Sequence, residues 1–210
     1  YGYMIDGLEM FGFPYATGDD VRSSPAVADL DKNNSLELII GSHDGSLHIL
    51  SGFGQQLATH QVNGSINGSP AAVDLDQDGD LEVVFTSYNG GTGDVHAIHH
   101  NGSTFYGFPV YLNEKMVGGA AAGDLDGDGY PEIVVCTDDD NVYAIKKDGS
   151  IMTGFPFTST DRFYNAPTLV DLDGDSDLEI VVGNRRGTLQ VLHHDGTEMA
   201  SYEVGDDIRG

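Results

Sequence analysis

The chain lacks the residues on which several common architectures and functions depend. Its 210 residues include no Trp, a single Cys, and nine Lys plus Arg against 34 Asp plus Glu, which gives a formal net charge of −25. Phosphates would repel such a surface, so we exclude nucleic acid as a partner. One cysteine excludes an intrachain disulfide, and the absence of Trp argues against WD40 repeats, whose blades carry a Trp-Asp signature.

Long apolar runs are also missing, so we expect no membrane insertion. Cys136 follows the apolar residues Ile133, Val134 and Val135, and we interpret it as a small buried hydrophobe rather than a reactive thiol. High net charge can indicate disorder, yet the acids here form regular clusters between apolar runs, which favours a folded protein loaded with cations.

The acidic residues are concentrated in four copies of one pattern, of which residues 124–132, Asp-Leu-Asp-Gly-Asp-Gly-Tyr-Pro-Glu, are the clearest. The copies recur every 45 to 50 residues, and we name them loop 1 (29–37), loop 2 (74–82), loop 3 (124–132) and loop 4 (171–179). Carboxylates at alternate positions across a turn converge on one point, where like charges repel unless a cation lies between them. Ca2+ accepts such irregular oxygen sites. The alternative is a set of acidic turns that bind no ion.

Each repeat contains four short strand patterns. An apolar run precedes the loop, a second run follows its Glu, and a third alternates, as in 142–145, before an Asn-Gly or Asp-Gly hairpin turn. The fourth carries Gly-Phe-Pro at 12–14, 107–109 and 154–156, where proline fits an outermost strand. A period near 45 residues, with a second strand apolar on both faces, predicts an all-β fold, a β-propeller of four-stranded antiparallel blades.

The repeats also predict how the chain is divided. Residues 1–18 match the last two strands of a preceding blade, four full blades span 19–66, 67–115, 116–162 and 163–206, and residues 207–210 match the start of another blade. Four and a half blades do not close a ring. We therefore predict a segment of a larger propeller with six to eight blades, which continues into further blades of the same parent chain.

With these loops and the Gly-Phe-Pro segments, the chain resembles the FG-GAP/VCBS repeat family of calcium-loop β-propellers, which is related to the integrin α-subunit head. The resemblance implies that side chains at loop positions 1, 3, 5 and 9, and the backbone carbonyl at position 7, bind Ca2+, with up to four ions, one per complete blade. The implied residues are Asp29, Asp31, Asn33, Ser35 and Glu37; Asp74, Asp76, Asp78, Asp80 and Glu82; Asp124, Asp126, Asp128, Tyr130 and Glu132; and Asp171, Asp173, Asp175, Asp177 and Glu179.

Two features depart from the integrin-type loop. Position 9 is Glu instead of Asp in all four loops; its longer arm either reaches the ion or caps loop N–H groups. Position 6 favours positive φ and is usually Gly, but Asn34 and Ser176 occupy it in loops 1 and 4. Loop 1 also carries Lys32 and one carboxylate fewer, so we expect loop 1 to bind Ca2+ most weakly and loop 3 most tightly.

Two histidine pairs, His99-His100 and His193-His194, precede the hairpin turns, and a third copy has Lys146-Lys147 instead. Because histidine exchanges with lysine at this place, we interpret these residues as solvent-facing turn residues rather than a metal pair.

The loops opposite the calcium side are the usual ligand face in the resembled family. We therefore expect a non-catalytic calcium-binding module that binds a protein or glycan there, with Tyr88, Tyr164, Arg185 and Arg186 as candidate contacts. Charge balance is the alternative role of the two arginines. Ca2+ sites that need millimolar ion would be filled outside a cell, so the resemblance implies a secreted or cell-surface protein. Alternatives are a propeller-type polysaccharide lyase and a spacer domain of a larger extracellular enzyme; the parent's activity stays open.

Overall fold

The computed structural model describes residues 2, 4, 6 and 8–208, and this part of the chain contains sixteen strands and no helix. Within these residues there is accordingly no helix that could cross a membrane. The strands are β1 (Ala26–Ala28), β2 (Glu37–Gly41), β3 (Ser46–Ser51), β4 (Gln56–Gln61), β5 (Ala71–Val73), β6 (Glu82–Asn89), β7 (Thr92–Ile98), β8 (Val110–Glu114), β9 (Ala120–Gly123), β10 (Glu132–Cys136), β11 (Asn141–Ile145), β12 (Phe157–Thr158), β13 (Thr168–Val170), β14 (Glu179–Gly183), β15 (Thr188–Leu192) and β16 (Glu198–Glu203).

The strands form four antiparallel sheets of four consecutive strands each, which we call blades 1 to 4. In every blade the Glu at loop position 9 starts the second strand, and in blades 1 and 2 it pairs with Ala28 and Val73 at the end of the first strand. The acidic loops therefore close the hairpins between the first and second strands. The first strands β1, β5, β9 and β13 contact one another in order, which places them innermost.

The core lies between the blades rather than inside one sheet. Three buried clusters join blades 1 and 2, blades 2 and 3, and blades 3 and 4. Strand β10 is buried along its whole length, because apolar residues on both of its faces pack against neighbouring blades. The predicted fold class, an all-β propeller of four-stranded antiparallel blades with an open ring, is confirmed.

Cys136 is buried in the cluster between blades 3 and 4, and burial raises the pKa of its thiol. This environment is the one expected for a hydrophobic core residue, as the sequence indicated.

The Gly-Phe-Pro segments 107–109 and 154–156 lie ahead of the fourth strand and not within it, so that placement was wrong for both. Strand β8 begins at Val110, directly after Pro109, and β12 begins directly after Pro156. Proline has no N–H to donate, so regular pairing starts only beyond it. The peptide bonds before Pro14, Pro109 and Pro156 are cis.

The terminal assignments are only partly covered by the structure. Residues 1, 3, 5, 7, 209 and 210 lie outside the described residues. Within the first segment, Tyr15 donates its hydroxyl hydrogen to Gln56 of β4, 2.6 Å away, so this segment contacts blade 1. The blade boundaries and the six- to eight-bladed parent stay predictions.

The connections into blades 2, 3 and 4 each insert one fully buried apolar side chain between blades: Ile66, Met116 and Phe163. We expect Phe163→Ala to lower the free energy of unfolding by about 3–5 kcal/mol, because it removes a large side chain from the core between blades 3 and 4. Chemical denaturation measures this. Phe53→Ala is the matched control, because Phe53 is 69% exposed and its loss should cost less than about 0.5 kcal/mol. Equal losses in both variants would contradict the assigned core.

Candidate metal centres and the opposite face

The four acidic loops share one backbone conformation. Position 6 has positive φ in every loop, at Asn34 (69°), Gly79 (106°), Gly129 (95°) and Ser176 (86°), as predicted. Position 4 is also left-handed, at Lys32 (53°), Gln77 (65°), Gly127 (69°) and Gly174 (83°). In loops 1 and 2 the residue type does not indicate this second left-handed position, since Lys and Gln rarely adopt it.

The first aspartate of loops 1, 2 and 3 carries an oxygen that nothing satisfies. Oδ2 of Asp29 and of Asp124 accepts the N–H at position 6, at 2.9 Å in both loops. Oδ1 of Asp29, Asp74 and Asp124 is buried and has no hydrogen-bond partner among the described residues. A buried, unpaired carboxylate oxygen is costly unless a cation or donor meets it, so this donor set fits a divalent cation.

The glutamate at position 9 caps the loop. Its Oε2 accepts the N–H of the leucine at position 2, at 2.9 Å in loop 1, 3.0 Å in loops 2 and 3, and 2.8 Å in loop 4. Of the two roles expected for this residue, capping is present in all four loops, and binding of an ion stays a prediction. Burial raises the pKa of Glu132 to about 7, with a further contribution from the charge of Asp126; a cation in the loop would offset both effects.

Many of the predicted ligands converge. Sets of three side chains whose donor atoms lie within 4.8 Å of one another are Asp29, Asp31 and Glu37; Asp74, Asp76 and Asp78; Asp124, Asp126 and Glu132; Asp171, Asp173 and Asp175; and Asp173, Glu179 and His193. These clusters could hold metal ions.

The remaining predicted ligands lie in the same loops but in none of these sets: Asn33, Ser35, Asp80, Glu82, Asp128, Tyr130 and Asp177. In all four loops position 5 also orders the loop backbone. The side chain at position 5 accepts the N–H of position 7, as Asn33 does from Ser35 at 2.7 Å and Asp128 from Tyr130 at 2.8 Å. The same contact joins Asp78 to Asp80 and Asp175 to Asp177. Lys32 points away from its own loop, and its Nζ lies 3.9 Å from Oδ2 of Asp74 in loop 2.

The interpretation of the histidine pairs as solvent-facing turn residues holds only in part: the four side chains are 33–36% exposed, yet each lies close to a carboxylate of the acidic loops. His99 Nδ1 lies 3.1 Å from Oε1 of buried Glu82, and His193 Nδ1 lies 3.7 Å from Oε1 of buried Glu179. Lys146 at the equivalent place lies 3.4 Å from Oδ2 of Asp126. The pairing of the second and third strands turns these side chains toward the acidic loop. The direction of these side chains follows from the strand register and cannot be predicted from residue type alone.

The opposite face has its own repeated framework. In each blade the end of the second strand, or the loop that follows it, donates one backbone N–H to the connection that enters the blade. The four bonds are His43 to Asp20 (2.8 Å), Tyr88 to Ser65 (2.9 Å), Asp138 to Lys115 (2.7 Å) and Arg185 to Arg162 (2.9 Å). The backbone contact is constant, while the side chains that it positions differ in every blade.

Ionic and aromatic side chains on this face lie close together. Lys115 donates to Oδ2 of Asp138, and Arg162 lies 4.0 Å from the same oxygen. The Lys115 ammonium is also 5.9 Å from the centre of the Tyr88 ring. A recess of about 710 Å³ between blades 1 and 2 is lined by Arg22, His43, Ser65, Asn67 and Tyr88, among others.

The structure distributes the predicted partner contacts over this face. Tyr88 lines the recess, and Tyr164 lies beside Arg162 and raises the pKa of its guanidinium. Arg185 lies 3.9 Å from Asp207 and Arg186 lies 3.7 Å from Asp161, contacts that agree with charge balance. Their role in binding stays a prediction.

Sequence reasoning did not place Ser65 and Asn67 among the candidate contacts of this face. Alignment of the connections that enter each blade could have found Asn67, because Asn67 in the second repeat is equivalent to Arg22 in the first.

Comparison with known proteins identifies the repeat. A family model described as FG-GAP-like repeat matches residues 74–135 and, again, residues 124–182. No curated protein sequence matches the chain.

Several solved structures share the fold. The V. cholerae biofilm matrix protein Bap1 aligns over 95% of this chain and 31% of its own, with 22% identity and a TM-score of 0.69. BBS1N, crystallised in complex with ARL6DN, aligns over 91% and 57%, with 13% identity and a TM-score of 0.68. A europium-containing methanol dehydrogenase aligns over 86% and 41%, with 17% identity and a TM-score of 0.60. The chain thus spans less than two thirds of each structure, and the likeness concerns the fold.

Ser176 is the least suited residue at loop position 6, because it holds a φ of +86° without the freedom of glycine. We expect Ser176→Gly to raise the free energy of unfolding by about 1 kcal/mol, and the reverse change Gly129→Ser in loop 3 to lower it by a similar amount. Thermal unfolding of the three proteins in the same buffer tests this. Destabilisation by Ser176→Gly would show that the serine side chain, and not its backbone, decides the local stability.

Proposed function

The chain belongs to the FG-GAP-like repeat family, and from that premise we propose that it is a non-catalytic Ca2+-binding module of a secreted or cell-surface protein. In this proposal, Ca2+ in the acidic loops stabilises the blades, and the opposite face binds a protein or glycan partner.

One observation carries the calcium assignment: the buried, unpartnered Oδ1 of Asp29, Asp74 and Asp124 in three loops of the same backbone. The donors are carboxylates and carbonyls, which are the ligands that Ca2+ prefers. Because the loop carboxylates repel one another without a counter-charge, binding free energy would add to folding free energy. Loops that need millimolar Ca2+ would be filled outside the cell, which supports the extracellular assignment.

The contrast between the two faces supports the partner assignment. The acidic side repeats the same residues in each blade, whereas the other side holds His43, Tyr88, Asp138 and Arg185 on one repeated backbone contact. Because the shared contact constrains only the backbone, this position can present side chains of four different chemistries to a partner. Lys115 beside Tyr88 offers a hydrogen-bond donor and an aromatic surface, a combination that suits sugar hydroxyls or polar protein side chains. Buried Asp138 accepts a hydrogen bond from the Lys115 ammonium and so holds it in place.

A polysaccharide lyase remains the second candidate, because His43, Arg22 and Tyr88 line one recess and could supply a base, a carboxylate-binding group and a proton donor. Elimination from polygalacturonate would produce an unsaturated, ultraviolet-absorbing sugar. Accumulation of that product would favour the lyase. Absence of both turnover and binding would favour a spacer.

We expect Ca2+ to raise the melting temperature of the wild-type chain, and Asp124→Asn in loop 3 to lose about 5–10 °C of that rise, because one well-filled site contributes about 2.7 kcal/mol. Calorimetry with Ca2+ and with EDTA measures this. Asp148→Asn is the matched control: it removes one exposed charge from the same blade and recreates the Asn-Gly turn present at Asn101. An identical melt in EDTA and Ca2+ would refute the proposed role.

For the partner face we expect Tyr88→Ala to weaken binding to a ligand selected on a glycan array by about tenfold or more, because aromatic contacts dominate such interfaces. Tyr106→Ala is the control, since Tyr106 is 84% exposed and follows a hairpin turn on the acidic side. Surface plasmon resonance compares the dissociation constants. Unchanged affinity in Tyr88→Ala would show that the partner does not bind at the recess.

A further inference from the structure

Loop 4 differs from the other loops in how its first aspartate is used. Asp171 is exposed, and both of its oxygens accept backbone N–H groups: Oδ1 from Gly174 at 2.6 Å and Oδ2 from Ser176 at 3.3 Å. In loops 1 to 3 the corresponding Oδ1 is buried without a partner. Oδ1 of the first aspartate, which is unpartnered in the other loops, is therefore already hydrogen-bonded in loop 4.

The unpartnered oxygen in loop 4 belongs to Glu179 instead. Glu179 is completely buried, and its Oε1 has no hydrogen-bond partner among the described residues. This oxygen faces Nδ1 of His193 at 3.7 Å, which is too long for a hydrogen bond. Asp173, Glu179 and His193 each offer a donor atom within 4.8 Å of the others.

We propose that loop 4 binds a borderline divalent cation of the Zn2+ class through Asp173, Glu179 and Nδ1 of His193. An imidazole nitrogen with two carboxylates is a donor set that Zn2+ and Co2+ accept and that hard, oxygen-seeking Ca2+ does not favour. Three protein ligands leave a coordination position open for water. The inference rests on the proposal that the loops hold divalent cations, and it specifies the class of cation in one of them.

The other blades serve as internal comparisons. Ser51 faces Glu37 across the strands in blade 1, and Lys146, whose charged ammonium has no lone pair, lies beside loop 3. In blade 2, His99 is already within hydrogen-bond distance of Glu82, and the converging set of loop 2 consists of oxygens only. Loop 4 alone, among the described loops, combines an unpartnered buried carboxylate oxygen with an imidazole in the converging set.

The test uses the untagged chain saturated with Ca2+ and titrated with Co2+, whose visible absorption is weak in the six-coordinate aqua ion and strong in a four-coordinate protein site. We expect about one equivalent of Co2+ to bind, to give that absorption, and to be displaced by Zn2+. His193→Ala should weaken Co2+ binding at least tenfold. His194→Ala is the matched control, because the His194 imidazole lies 2.9 Å from Asp177 and does not belong to the converging set. The affinity of this variant for Co2+ should therefore be unchanged.

Asp173→Asn is a second variant in case His193→Ala fails to fold. Asp173 is exposed, so its replacement should leave the fold intact. This variant should also weaken Co2+ binding at least tenfold. The inference is overturned by no Co2+ binding at saturating Ca2+, by unchanged affinity in His193→Ala, or by equal loss in His194→Ala. Failure of the calcium proposal is distinguishable, because it appears as an absent effect of Ca2+ on melting, whatever the Co2+ spectrum shows.

Discussion

A buried glutamate carboxylate that accepts one leucine N–H is the interaction on which every blade depends. It fixes the acidic loop onto the start of the second strand, and it directs Leu30, Leu75 and Leu125 into the cores between blades, where each is at most 1% exposed. The carbonyl of Leu30 accepts the N–H of Leu81 in the next blade, and Leu125 does the same with Leu178. Blade 3 has Pro131 at the donor position, so there Gln77 bonds to the carbonyl of Gly129 instead. The conformation of each acidic loop is therefore coupled to the packing of its blade against the next one.

This coupling explains why the two faces of the propeller differ. On the acidic side the residues are constrained twice, by the carboxylates that converge and by the hydrogen bonds that hold them. On the other side only a backbone contact is constrained, so the side chains are free to vary from blade to blade. A repeat architecture can in this way keep its stability on one side while recognition evolves on the other.

The sequence was sufficient where a pattern repeats locally and insufficient where strand register decides. Blades, acidic loops and the positive φ at Ser176 were predictable from spacing and turn chemistry. The positive φ at Lys32 and Gln77 was not, because neither residue favours it and the loop imposes it. The direction of His99 and His193, and the contact between Lys115 and Asp138 across 23 positions, depend on which strands pair, which residue type alone does not reveal.

We propose that the orphaned Oδ1 atoms of Asp29, Asp74 and Asp124 mark bound cations, and anomalous diffraction from crystals grown in saturating Ca2+ tests this proposal most directly. We expect an anomalous peak in loops 1, 2 and 3, adjacent to Oδ1 of Asp29, Asp74 and Asp124. Loops that kept the same conformation with no peak beside those oxygens would contradict it.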